Sequence, residues 1–497
     1  MAIPKVCGIE TEYGIHVVGG DPNPIAASSA LINAYAHHVA RQQIGWDFED
    51  EAPGNDARGF SVEGSMPPLV ETHLVNTVLT NGARYYVDHA HPEYSSPECL
   101  DALECLRYDR AGEQIVIRSM EAAAAVLRDG AELVVYKNNS DGKGNSYGCH
   151  ENYLMDRATP FARVISGVTP HFVTRQIITG AGKVGSETDV HKRGSVEFQL
   201  CQRAEFFEEQ VGLETTIKRP IINTRDEPHA DPHRYRRLHV IVGDANMAEV
   251  ATFLKVGTTA VVLAMIEDDA PVGRPLTLAD PVRAMHEVAC DRSLTRPLLL
   301  DDGSTATALA IQWTLFAAAR KYSEEHGLAC LGTPDVGEMI LSRWEKVLEG
   351  LENDPMTLAR QLDWVAKLQL LEAYRDRHGC SWDDPRLAAV DLQYHDLRPA
   401  RSLFARLDTE RLVTQAEVDA AVDQPPRGTR AWFRGRCLAK WPAAVTSANW
   451  DSLVFDLGSD PLRRIPMMDP LKGTADHVDA LLEQCATPAE LVERLSG

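Results

Sequence analysis

Alternating apolar and polar positions mark a set of short strands along this chain. If Arg84–Asp88 is extended, Arg84, Tyr86 and Asp88 share one face and Tyr85 and Val87 the other. Residues 5–15 read the same way and set Glu10 and Glu12 on one face, roughly 6 to 7 Å apart by strand rise. Further strands are predicted at 132–136, 172–178, 195–206 and 237–242; Gln199, Cys201 and Arg203 share a face of one, Arg237 and His239 a face of another. Helical spacing predicts helices over 27–44, 112–129, 246–267, 305–326, 341–377 with a break near Pro355, and 488–495. Between Gly45 and about Glu71 the periodicity fails in an acidic stretch with Gly and Pro. Long irregular segments inside a compact domain are functional or disordered. Strands separated by helices without a βαβ rhythm predict an α+β fold with a largely antiparallel sheet. A Pro-Pro-Arg-Gly break at 425–428 divides the chain into 1–424 and a small C-terminal domain, 425–497, anchored by Trp432, Trp441 and Trp450.

Charge narrows the partners. Lys plus Arg number 50 against 72 Asp plus Glu, a net charge of −22. That disfavours nucleic acid and anionic membranes, and any anionic partner needs a local basic patch. The ten cysteines are dispersed with no CxxC pair, which predicts reduced thiols and a cytoplasmic setting. Met1 to Pro4 lead straight into the first strand, so no signal peptide is expected. The apolar run 250–266 is broken by Lys255 and Gly257 and reads as a buried helix.

A cation, a phenol and a carboxylate on one strand face are costly to bury without an anion or a metal as partner. Glu10 and Glu12, with Glu93 and Glu151, would make an oxygen-rich site, and hard ligands favour Mg²⁺ over zinc. Other motifs fail. Gly180 to Gly185 satisfies GxGxxG, but no helical stripe follows it, and no P-loop occurs. His229, His233 and His239 lie on a loop and a strand without zinc spacing, and no motif marks a Ser or Cys nucleophile.

The motifs Gly8-Ile9-Glu10-Thr11-Glu12-Tyr13-Gly14, Asn81 to Asp88, His91-Pro92-Glu93-Tyr94 and Arg236-Arg237-Leu238-His239 resemble those of the Pup ligase and Pup deamidase/depupylase family, relatives of glutamine synthetase and the carboxylate-amine ligases. The resemblance spans the whole chain. It implies a glutamine synthetase-like large domain with a curved sheet, plus the small C-terminal domain. The insertion at about 45–74 and the tight spacing from Asp88 to Glu93 resemble the deamidase branch. Implied there are deamidation of the C-terminal glutamine of Pup, the prokaryotic ubiquitin-like protein, and cleavage of Pup–lysine isopeptide bonds. The alternative is the ligase activity. By the same resemblance Asp88 is catalytic; Glu10, Tyr86, Glu93, Glu151 and His239 bear metal; and Glu10, Arg84, Ser96, Asn152 and Trp450 contact nucleotide. Arg203 and Arg225 would meet substrate, with Arg219, Arg234 and Arg236 as further groove candidates. The implied cofactors are ATP (or ADP plus phosphate) and Mg²⁺. The implied partners are Pup and pupylated proteins and, at one remove, the proteasomal ATPase.

Overall fold

The computed structural model describes residues 1–496 apart from 42–43, 50, 63–74, 128–129, 189–195, 274 and 459–460. Its centre is a six-stranded, wholly antiparallel sheet. In chain order the strands are β1 (Cys7–Glu12), β2 (Asn76–Val78), β3 (Arg84–Asp88), β4 (His91–Ser95), β5 (Cys149–Asp156) and β6 (Tyr235–Val240). Across the sheet they run β6-β5-β1-β4-β3-β2.

One face of this sheet is apolar and packs on helices. Ala102–Ala124, capped by the Asp101 side chain at Leu103 and Glu104 N–H, lies against it closely enough that a Cβ on Gly112 would enter the Tyr94 ring. Glu249–Glu267 is buried along its whole length, as expected of a helix that is apolar all round. Among the described residues it is the one helix long and apolar enough to cross a membrane, and it lies inside the core. Helices Ala308–His326 and Pro334–Asn353 continue that layer. A second hydrophobic cluster gathers side chains between Trp432 and Leu491 and draws in Ile44, Trp46 and Val78.

Several elements depart from expectation. Residues 172–178 are helical, completing Phe161–Thr174 and Gln176–Thr179. A short apolar run serves either as a buried strand or a buried helix, and here packing against Glu249–Glu267 decides. Of the expected strand 195–206, residue 195 lies outside the described ones; among the described residues of that stretch only Phe198–Gln199 pairs as a strand, and Ala204–Phe206 turns into a 3₁₀ helix. The strand expected over 5–15 breaks at Tyr13, after which Gly14–Val18 pairs with Glu132–Tyr136 in a separate ribbon. The described part of the 45–74 insertion is ordered. Gly45–Trp46 runs parallel to Val445–Ala448, and Asn55–Asp56 pairs with Phe60–Ser61; residues 63–74 lie outside the described ones.

Candidate active site

The other face of the sheet is polar, and strand alternation builds it. Glu12 is opposite Glu93, Tyr86 opposite Glu93, Glu10 opposite both Ser95 and His150, and Asn152 opposite His239. Five strands thereby bring Glu10, Glu12, Arg84, Tyr86, Asp88, Glu93, His150, Asn152, Arg237 and His239 to one surface. A cleft of about 450 Å³ opens over it, also lined by Phe48, Glu51, Arg225, Glu227, His229 and Trp450.

Two donor groups stand out. Glu10, His150 and His239 each place a ligand atom within 4.8 Å of the others, and so do Glu12, Asp88 and Glu93. Asn152 ties the first group together, donating to Glu10 Oε1 (2.7 Å) and accepting from Arg237 (2.8 Å) and His239 Nδ1 (3.0 Å). Burial and the neighbouring Arg237 hold His239 well below the usual imidazole range, so it is neutral with a lone pair to offer. Burial alone would raise Glu10 and Glu12. For Glu10 the neighbours His150, His239 and Arg237 outweigh it; for Glu12, His91, His150 and the Gly148 N–H bring the value to about 2. Glu93 goes the other way, pushed well above the carboxylate range by burial and then by Asp88, Glu12 and Glu10. Such crowding of carboxylates is relieved by a cation. Gly148 is required by close approach, because a Cβ there would strike the His150 ring and the Glu12 carboxylate.

Arg84 is caged by aromatic rings, 3.8 Å from the Tyr86 centroid and 4.1 Å from that of Trp46, and donates to Asn76 Oδ1 (3.0 Å). Trp46 contacts Trp450 edge to face at 5.2 Å. A smaller recess beside β1 is lined by Gly8, Ser96, Asn152, Arg430 and Trp450, with Ser96 Oγ accepting from Ile9 N–H (3.0 Å). A larger cavity of about 760 Å³ reaches His91, Tyr147, Lys183 and His395. His91, with its ring tilted against Tyr147 (centroids 4.3 Å apart) and opposite Asp88 across the β3–β4 hairpin, lines this larger cavity.

Glu151 is not brought to this face. On β5 it points the opposite way from His150 and Asn152, into the core, where Arg175 binds both its oxygens (2.6 and 2.8 Å) and Tyr153 donates a third bond (2.6 Å). The side chain that takes the expected place is His150, and period-two alternation is the reason. Asn152 and Glu151 could never share a face; carrying Asn152 one step back along the strand reaches His150. Arg203 is also buried, its guanidinium donating to the carbonyl of Ile241 and to Ser146 Oγ (3.2 Å). Of the other arginines, Arg225 lines the cleft, with a buried Nε that has no partner among the described residues. Arg219 and Arg236 are held by backbone carbonyls, and Arg234 pairs with Asp469 (2.9 Å).

The fold and this polar face define a class. A family model described as Pup-ligase protein matches residues 5–454, and the chain belongs to that family. It is 52% identical over 509 residues to a Depupylase of Acidothermus cellulolyticus, covering 99% of both chains. It is 48% identical over 511 residues to a Pup deamidase/depupylase of Mycolicibacterium smegmatis, covering 99% of this chain and 100% of the relative. Its structure is similar to the ligase PafA in complex with Pup (TM-score 0.82, 33% identity, 99% of this chain and 95% of that one). It is also similar to PafA in complex with ADP (TM-score 0.75, 38% identity, 82% and 89%).

Proposed function

We propose that this chain is a Pup deamidase and depupylase. It converts the C-terminal glutamine of Pup to glutamate and hydrolyses the isopeptide bond between Pup and a target lysine, with ATP (or ADP plus phosphate) and Mg²⁺ as cofactors. The observation that carries the reading is the single polar face holding Asp88 among two donor groups, in a chain that matches depupylases over its full length.

Asp88 lines the cleft with its side chain partly open to it, and it delivers the attack on the amide carbonyl, as nucleophile or as base toward water. Glu10, His150 and His239 on one side, and Glu12 and Glu93 on the other, would hold the metal. Bound divalent metal supplies positive charge for nucleotide phosphates and for the developing oxyanion. The donor set contains two imidazoles, His239 as expected and His150 beside it, among carboxylates that suit a hard cation. Arg84 in its aromatic cage, Arg225 with its unused Nε, Ser96 and Trp450 are placed to receive nucleotide and substrate anions. Thiols free of disulfides support a cytoplasmic enzyme, working beside a proteasome whose substrates carry Pup. A ligase is the alternative, since the neighbouring PafA structures have the same fold; the fate of the acyl group would separate the two.

The test is intact-mass analysis of Pup ending in glutamine, and of a pupylated protein, with and without ATP and Mg²⁺. Nucleotide-dependent conversion to the glutamate form with release of target is expected. Attachment of glutamate-ended Pup to lysines, with ADP release, would instead make the chain a ligase. Asp88→Asn should lower turnover by at least about 100-fold with nucleotide affinity unchanged; retained turnover refutes the role of Asp88.

A further inference from the structure

The turn that follows Asp88 is built at odds with local energetics. Asp88 pairs with His91, so β3 and β4 are joined by a two-residue loop, His89-Ala90. His89 has φ 51°, a left-handed conformation. Two-residue hairpin loops favour Gly or Asn at such positions because a side chain there is strained. This chain places an imidazole there, and its ring turns back on the preceding residue, Nδ1–H donating to Asp88 Oδ2 at 2.8 Å. Among the described residues this is the one hydrogen bond to the Asp88 carboxylate. The carboxylates of Glu93 and Glu12, with ligand atoms within 4.8 Å of it, repel it. An Asp88 side chain with carboxylates behind it and water in front of it has an electrostatic reason to rotate outward. Strain retained at one residue beside a reactive group is the pattern by which a site holds its geometry.

We infer that His89 is a positioning residue for the proposed amide hydrolysis, spending backbone strain to hold the Asp88 carboxylate toward the scissile carbonyl through the Nδ1–H bond. The inference rests on the deamidase/depupylase reading for its kinetic readout, but its geometric consequence is independent of that reading. His89→Gly removes the ring and relieves the φ strain. His89→Asn keeps an N–H donor and tolerates the left-handed backbone.

The experiment compares the full-length wild type with both variants for turnover of glutamine-ended Pup, nucleotide affinity, thermal midpoint and the crystal structure of the Gly variant. Expected for His89→Gly is a kcat lower by roughly 100-fold, the scale of a 1 Å misplacement, with nucleotide affinity unchanged, a thermal midpoint equal or higher, and Asp88 rotated outward. His89→Asn should recover most of the lost kcat, which a purely structural role would not produce. Wild-type kcat in His89→Gly, or a loss that tracks a fall in nucleotide affinity or thermal midpoint, overturns the proposal. If the wild type leaves Pup unchanged, the functional reading fails, and the Asp88 rotamer in the Gly variant decides: unchanged, it overturns the positioning role; rotated, it upholds it.

Discussion

Arg175→Met is the sharpest test of the placement of Glu151. In the wild type the two side chains form a bidentate pair, 2% and 0% exposed, with bonds of 2.6 and 2.8 Å. Thr259 Oγ1 accepts a further arginine proton at 2.6 Å, and the Tyr153 hydroxyl donates to Glu151. Removing the arginine leaves a carboxylate sealed in the core with the Tyr153 hydroxyl as its remaining strong partner. Breaking a buried pair from one side costs about 3 to 5 kcal/mol, a large part of the roughly 5 to 15 kcal/mol by which proteins are stable. Replacing both partners, as in Glu151→Leu with Arg175→Met, leaves no charge unpaired and should recover most of that loss. Equilibrium urea unfolding of the two single variants and the double variant measures the coupling, and titration calorimetry with Mg²⁺ and Mn²⁺ measures metal affinity alongside. The expected outcome is a stability loss in each single variant, recovery in the double, and unchanged metal affinity. If Glu151→Leu is as stable as wild type yet loses metal binding, Glu151 is a ligand and the core assignment is wrong.

Two further outcomes follow from the same geometry. His150→Ala should weaken metal binding at least about 10-fold, read by calorimetry, because it deletes one of three clustered donors; unchanged affinity removes His150 from the site. Glu98 bonds Arg430 (2.7 Å) and Arg434 where the C-terminal segment meets the sheet domain. Burial opposes its ionisation, but the two arginines outweigh it and bring its value to about 2. A depressed carboxylate contributes stability that is complete above its unfolded value and is lost as pH falls through the folded one. About 3 kcal/mol should therefore disappear between about pH 4.5 and pH 2. Glu98→Gln should lose that component, seen as a flatter acid branch in tryptophan fluorescence, and an acid transition identical to wild type refutes it.

What the sequence determined by itself is what depends on near neighbours. Alternation alone put Arg84, Tyr86 and Asp88 on one face and Glu10 beside Glu12, because the two-residue period of a strand needs no tertiary partner. It also predicted Glu132–Tyr136, the buried helix near 250–266 and the α+β class, each from composition and period over a short window. The motifs carried the family, which is written in residue identity. Tertiary structure decided the rest. Whether 172–178 is strand or helix, and whether 195–206 pairs at all, depends on what packs against them. The order in the described part of the insertion comes from a partner strand some 400 residues away, Val445–Ala448. Register between strands placed His150, and not Glu151, opposite Glu10, and it set Glu93 against both Glu12 and Tyr86. Burial then made His239 a neutral donor and Glu93 a reluctant acid, since both shifts depend on the charges that neighbouring strands bring within a few ångströms.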